Sequence, residues 1–113
     1  MHYSKQFLGK EVQITIDRPM GSRHHKWGFL YPLNYGYVPN TKAPDGGGVD
    51  AYVLGVFEPL ESFTGRCIAI IQRENDNDDK LVLVPKGKKY SDEQIIALTE
   101  FQERSFKIRI VRN

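Results

Sequence analysis

A mainly β fold of the α+β class, a small curled or closed antiparallel barrel of five to six strands with one C-terminal helix, is what this 113-residue chain predicts. Three observations predict it. Short β-rich runs separated by turn residues fill most of the length. Only one late stretch, beginning near Ser91, has helical periodicity. The chain is also long enough to bury a real core, on the order of 65% of its unfolded surface.

Taken in order, EVQITID from Glu11 to Asp17 alternates Val12, Ile14 and Ile16 against Gln13, Thr15 and Asp17, the period of a half-buried strand. RPMGSRHHK, Arg18 to Lys26, breaks that strand and forms a loop with a basic cluster. WGFLY, Trp27 to Tyr31, reads as extended, and the stretch from Tyr31 to Asp50, YPLNYGYVPNTKAPDGGGVD, holds too many turn residues to be regular. Loops of that length in a compact domain are usually functional. AYVLGVF then reads as a strand with Gly55 a bulge or a point of close approach. RCIAIIQR, Arg66 to Arg73, and KLVLVP, Lys80 to Pro85, form a hairpin whose acidic tip runs from Glu74 to Asp79. Ser91 and Gln94 make a capping box, Asp92 and Glu93 suit a helix start, and Ile95, Leu98 and Phe101 share a spacing of three, so one helix spans roughly Ser91 to Arg104. SFKIRIV alternates again and is expected to return to the sheet as a closing strand.

Composition bounds the function. With 40% hydrophobic and 27% charged residues, residues 1–113 describe one ordinary domain. Sixteen basic against 14 acidic residues is too even a balance to advertise a nucleic-acid surface, and no apolar run reaches the roughly 18 residues of a membrane span. The chain reads as cytoplasmic. The single Cys67 can form no internal disulfide and fits a buried small hydrophobe in RCIAIIQR.

The candidate chemistry lies in the two loops. Tyr31, Tyr35 and Tyr37 supply phenols able to hydrogen-bond an anion, while Asp45, Asp50 and Asp78 supply carboxylates able to converge on a hard cation such as Mg²⁺ or Mn²⁺. Three glycines between Asp45 and Asp50 permit a turn tight enough to aim both carboxylates at one point. The plainer alternatives are a D-G turn between strands and a solvated hairpin tip, neither of which requires a ligand. His24 and His25, adjacent in sequence, would point apart in an extended segment and fit a metal poorly. For a site to exist, the two loops must meet at one rim of the barrel.

The segments YPLNYG, DGGGVD and the run from Arg73 to Lys80 before LVLVP resemble the soluble, metal-dependent inorganic pyrophosphatases of the first structural family, whose signature is YPxNYG, then DGDPxD, then D-E-x-x-x-D-x-K before V-P. The resemblance covers about Arg23 to Pro85. It implies an OB-like barrel and a Mg²⁺-dependent hydrolase, Mn²⁺ being a second option, that cleaves pyrophosphate by attack of metal-bound water; an organic diphosphate is the variant substrate that the departures below suggest. It implies Asp45, Asp50 and Asp78 as metal ligands, Asp50 and Tyr35 as catalytic groups, and Arg23, Tyr31 and Lys80 as phosphate-binding groups. It implies neither nucleic acid nor membrane as partner, and a second subunit could supply part of the site wall in a homo-oligomer. Departures are specific. The middle aspartate of the second motif, which in the family helps generate the nucleophilic hydroxide, is Gly47; its proline is Gly48; and the first acidic residue of the third motif is Arg73. Gln13 and Thr15 stand where the family has K-x-E, and Ser105 and Phe106 where it has a Tyr-Lys pair. These losses keep open a protein that binds metal and a phosphorylated ligand with weak catalysis. A nucleic-acid-binding barrel using RHHK and KGKK is the third reading.

Overall fold

The computed structural model describes residues 3–113 and holds six strands and one α-helix. They are β1 (Glu11–Arg18), β2 (Asn34–Val38), β3 (Val49–Val53), β4 (Ser62–Arg73), β5 (Lys80–Val84), α1 (Asp92–Glu103) and β6 (Ile108–Val111). The sheet runs β1-β2-β3-β5-β4-β6, and β1 also pairs with β4, so five strands close into a barrel and β6 extends it. Mainly β, with one late helix, is the architecture expected.

One pairing departs from the antiparallel expectation. β3 and β5 are parallel, whereas β1–β2, β2–β3, β1–β4, β4–β5 and β4–β6 are antiparallel. The reason is parity: a closed ring of five strands cannot alternate direction all the way round, so one neighbouring pair must run together. The closing contact also differs from expectation. The last strand pairs with the far end of β4, through Ile70 to Arg73, while β1 pairs with its near end, from Ser62 to Arg66. At twelve residues β4 is long enough to serve both.

The stretch from Tyr31 to Asp50 is more regular than its turn residues suggested. Asn34–Val38 pairs with Val49–Val53, with Tyr37 opposite Asp50 and Tyr35 opposite Tyr52, leaving residues 39–48 as the loop. Tyrosine and valine fit a buried pleated surface, and they override the local turn signals. Conversely, Trp27 lies in a turn, and only Leu30 of the WGFLY run makes a bridge, to Arg23. Two motif residues are scaffold. A β-carbon on Gly36 would stand 1.9 Å from the Thr15 carbonyl oxygen, so only glycine lets β1 cross there. Buried Asn34 accepts from the backbone of Met20 and Leu60 and donates to Glu58 O, tying two loops together.

Side-chain alternation divides the apolar residues into two cores. Val12, Ile14, Val49, Ala51, Val53, Leu81 and Leu83 pack in one, and Tyr35, Tyr52, Leu54, Ile71, Val82, Val84 and Ile95 in the other, beneath α1. Because β5 is buried on both faces, it reads as a continuous apolar run. Cys67 is buried with a free thiol, which burial raises to a pKa of about 11. The capping box at Ser91 and Gln94 is formed as expected, fixing where α1 starts.

Candidate active site

Strand register creates the site. Lys80 opens β5 and lies opposite Asp50 on β3 and Ile71 on β4, so Asp50, Lys80 and Arg73 share the face that carries α1, at the end of the sheet nearest the acidic hairpin tip. Asp78, two residues before Lys80, closes the arrangement. Lys80 Nζ donates to Asp50 Oδ2 at 2.9 Å and to Asp78 Oδ2 at 2.7 Å. The two candidate loops therefore do meet at one rim, joined by a buried ammonium.

These groups open onto a hollow of about 410 Å³ that Tyr31, Tyr35, Asp50, Asp78 and Lys80 help to line. Its lining includes three carboxylates, Asp17, Asp50 and Asp78, and three basic side chains, Arg18, Arg73 and Lys80. Burial pushes the Asp50 carboxyl above the ordinary aspartate range, with Lys80 opposing and the Asp78 charge adding to the rise. Burial, reinforced by Asp50, pushes the Tyr35 phenol far above its usual value, so it stays a protonated donor at neutral pH. Lys80 Nζ also lies 5.5 Å from the Tyr35 ring centre.

Two expected site residues lie elsewhere. Arg23 is exposed and donates to Gly28 O at 3.0 Å; Arg18 is the arginine from this part of the chain that borders the hollow. Asp45 is exposed, its Oδ1 accepts from Gly47 N at 3.0 Å, and it borders a separate hollow of about 240 Å³ that Asp78 also lines. Among the described residues, no three carboxylate, imidazole or thiolate groups assemble as a metal cluster. Tyr31 does line the hollow, but its hydroxyl donates to Gln102 Oε1 at 2.8 Å. Of the other acidic-tip residues, Asp76 Oδ1 caps Asp78 N at 2.6 Å, and Asp79 is turned to Ser4 Oγ at 2.6 Å.

Two Asp78 oxygens have different fates. Oδ2 meets Lys80 and lies 3.5 Å from Arg73 Nη1, whereas Oδ1 is buried without a hydrogen-bond partner. A buried carboxylate oxygen left unpaired is costly, and a hard cation would satisfy it. Mg²⁺ commonly takes one or two carboxylates and keeps several waters, so Asp50 and Asp78 fit that ion without a third protein ligand.

Behind the hollow runs a network that sequence reading did not reveal. Arg73 donates from Nε to Glu103 Oε1 at 2.8 Å and from Nη2 to Glu103 Oε2 at 3.0 Å; Tyr52 donates to Glu103 Oε2 at 2.6 Å; Gln102 Nε2 donates to Tyr52 at 2.8 Å. With Tyr31 on Gln102, the chain of bonds links the end of α1 to the hollow's wall. Burial opposes the Arg73 charge, but the paired Glu103 more than compensates and raises its pKa. A signal existed: Glu103 is acidic in the last turn of a helix, where the macrodipole disfavours it unless a cation is near. His24 and His25 also border the hollow with their rings stacked at 4.8 Å, because residues 25–27 form a turn, within the stretch read as a loop, and the rings do not point apart as they would in an extended segment. His24 Nδ1 accepts from the backbone of Lys26 and Trp27, and burial together with His25, Arg18 and Lys26 lowers its pKa.

Residues 5–109 match the family model of inorganic pyrophosphatase. The chain belongs to the inorganic pyrophosphatase family. It is 40% identical over 88 residues to the inorganic pyrophosphatase of Xylella fastidiosa strain 9a5c, covering 71% of this chain and 49% of that protein. The enzyme of Campylobacter jejuni matches at 35% over 79 residues, 66% of this chain and 43% of the relative. The chain thus spans about half the length of the curated relatives it matches. Its fold is shared with the inorganic pyrophosphatase of Ehrlichia chaffeensis, at a TM-score of 0.71 and 20% identity over 93% of this chain and 87% of that one. The Thermus thermophilus inorganic pyrophosphatase superposes at 0.63, with 19% identity over 91% and 82% of the two chains. The pyrophosphatase barrel is therefore present, and no helix of the described residues is long and apolar enough to cross a membrane.

Proposed function

We propose that this pyrophosphatase-family chain is a Mg²⁺-dependent hydrolase of pyrophosphate, with Asp50 and Asp78 the carboxylates that would hold the cation. The observation that carries this reading is the convergence of both carboxylates on Lys80 beside the unpaired, buried Asp78 Oδ1. When bound, the cation supplies positive charge for the phosphate oxygens and acidifies a water molecule. Lys80, which here donates to both carboxylates, becomes available to a phosphate oxygen once their charge is otherwise balanced. Arg73 offers Nη1 while Glu103 holds its other two nitrogens in a fixed plane, and Arg18 faces the same hollow. Tyr35, kept protonated, donates to water or to a phosphate oxygen near Asp50. Arg23 and Asp45 take part only if their loops rearrange.

Release of phosphate from pyrophosphate, followed with and without Mg²⁺, tests the proposal. Asp50→Asn is expected to lower the metal-dependent rate by about 10²-fold or more. Metal-independent release, or a rate indifferent to that substitution, would overturn it. A second reading, binding of metal and a phosphorylated ligand with weak catalysis, is favoured by Gly47, which lacks the carboxylate the resemblance assigns to activating water. A β-carbon added at Gly47 would meet only Asp45 Oδ1, at 3.6 Å, an ordinary contact distance, so the backbone there accepts a side chain. On that reading Gly47→Asp raises the rate of phosphate release by about tenfold or more.

A further inference from the structure

The charged hollow does not end at Asp50, Asp78 and Lys80. It continues into a second cavity of about 420 Å³ that shares Trp27, Phe29, Gln102 and Phe106 with it and adds Phe101. Its walls are largely aromatic. Trp27 is 69% exposed and Phe106 39% exposed, so large rings stand at the rim of a charged site with much of their area in water. That is an expensive arrangement for a surface whose only ligand is a small, fully hydrated anion.

The contacts of these rings point the same way. Phe106 lies 3.8 Å from the Arg73 guanidinium carbon, and Arg73 in turn faces Asp76 and Asp78. Phe106 is therefore tied to the ionic centre and also forms part of the apolar wall. Trp27 carries Lys26 Nζ at 4.8 Å from its ring centre. The cavity lies next to cations and beside the amide of Gln102, a combination suited to a ligand with a phosphate end and a planar heteroaromatic end.

We infer that the cavity bordered by Trp27, Phe29, Phe101 and Phe106 is a base-stacking subsite, and that the chain takes nucleoside diphosphates with their phosphates in the Lys80 hollow. The inference rests on the hydrolytic reading of that hollow and names a substrate class for it. In the reaction, the oxygen of water bonds to the terminal phosphorus and the bond from that phosphorus to the bridging oxygen breaks. The electron pair stays on the departing nucleoside monophosphate, and one proton passes to bulk water.

Trp27 is the single tryptophan of the chain, so its fluorescence reports on this cavity and on the adjoining hollow. ADP is expected to quench it saturably in the presence of Mg²⁺, and pyrophosphate to displace ADP by competing for the hollow. Phe106→Ala should weaken ADP binding about tenfold relative to pyrophosphate, and Trp27→Ala should lower the ratio of ADP to pyrophosphate kcat/KM by a similar factor. Pyrophosphate hydrolysis assayed in the same preparations separates the two failures. Hydrolysis of pyrophosphate with no quenching by ADP overturns the subsite and leaves the hydrolase intact; quenching by ADP reversed by pyrophosphate, with neither hydrolysed, upholds the subsite and removes the hydrolase. Equal binding of an alkyl diphosphate, or emission that follows protein concentration instead of ADP, also overturns it.

Discussion

Lys80 and Arg73 face each other across Asp78 and form ion pairs of nearly equal length, yet the two cations are built for different work. Lys80 Nζ lies 2.7 Å from Asp78 and 2.9 Å from Asp50; Arg73 Nε lies 2.8 Å from Glu103. The side chains of Asp50 and Asp78 keep 25% and 23% of their surface in contact with solvent, whereas Glu103 keeps 2%. Lys80 is a point charge on a flexible stem and can exchange partners, while Arg73 makes two parallel hydrogen bonds to a carboxylate that Tyr52 also holds. Distance alone does not distinguish these pairs. Burial of the partner carboxylates and the number of further hydrogen bonds do, and they separate an exchangeable site cation from a fixed one.

The largest effect that could break this comparison is expected at the fixed pair. Glu103→Ala leaves the Arg73 charge and the Tyr52 hydroxyl buried beside a cavity, and should cost about 3–5 kcal/mol of unfolding free energy in urea titration. A loss below about 1 kcal/mol would place Arg73–Glu103 with the exchangeable pair. Adding Mg²⁺ should recover none of the loss, since no carboxylate remains at that position to take it.

Lys80→Met probes the other side. Removing the ammonium leaves Asp50 without its cation and Asp78 with only Arg73 Nη1, at 3.5 Å, so the variant should lose about 2 kcal/mol in chelator. Millimolar Mg²⁺ should restore most of it, because a bound cation stabilises the folded state by mass action. Thermal unfolding with and without the metal measures both numbers. Failure of Mg²⁺ to rescue would show that these two carboxylates do not hold it.

Both pairs depend on long-range register, and that limit explains what the sequence could show. The alternation of Val12, Ile14 and Ile16, the Ser91–Gln94 cap and the Arg73–Lys80 hairpin are local patterns, and each appears where expected. The motif also located Asp50, Asp78 and Lys80 together. The parallel partnership of β3 with β5 was hidden, because nothing within either strand records its neighbour's direction. Motif spacing pointed to Arg23, whereas Arg18 borders the hollow, since the choice depends on the path of the backbone beyond β1. Phe106, noted only as a departure from a Tyr-Lys pair, proves to cover Arg73 and border two cavities. Its role follows from α1 lying across the sheet, which spacing does not encode.

A third pair of the same length sets the lower end of the scale. Arg112 Nε lies 2.8 Å from Asp92 Oδ1, but these side chains are 38% and 48% exposed. Water screens the attraction, and ordering two exposed side chains offsets much of what remains. Asp92 also stands in the first turn of α1, where its charge meets the positive end of the helix dipole. Asp92→Asn should therefore cost about 0.5–1 kcal/mol in low salt, and less than half of that in roughly 0.5 M NaCl, where the screening length is only a few ångströms. Glu103→Ala measured in parallel should lose about the same free energy at both salt concentrations, because its pair is shielded from solvent ions. A salt-independent loss at Asp92 of more than about 2 kcal/mol would mean that exposure is not what ranks these three pairs, and the distinction between Lys80 and Arg73 would need another cause.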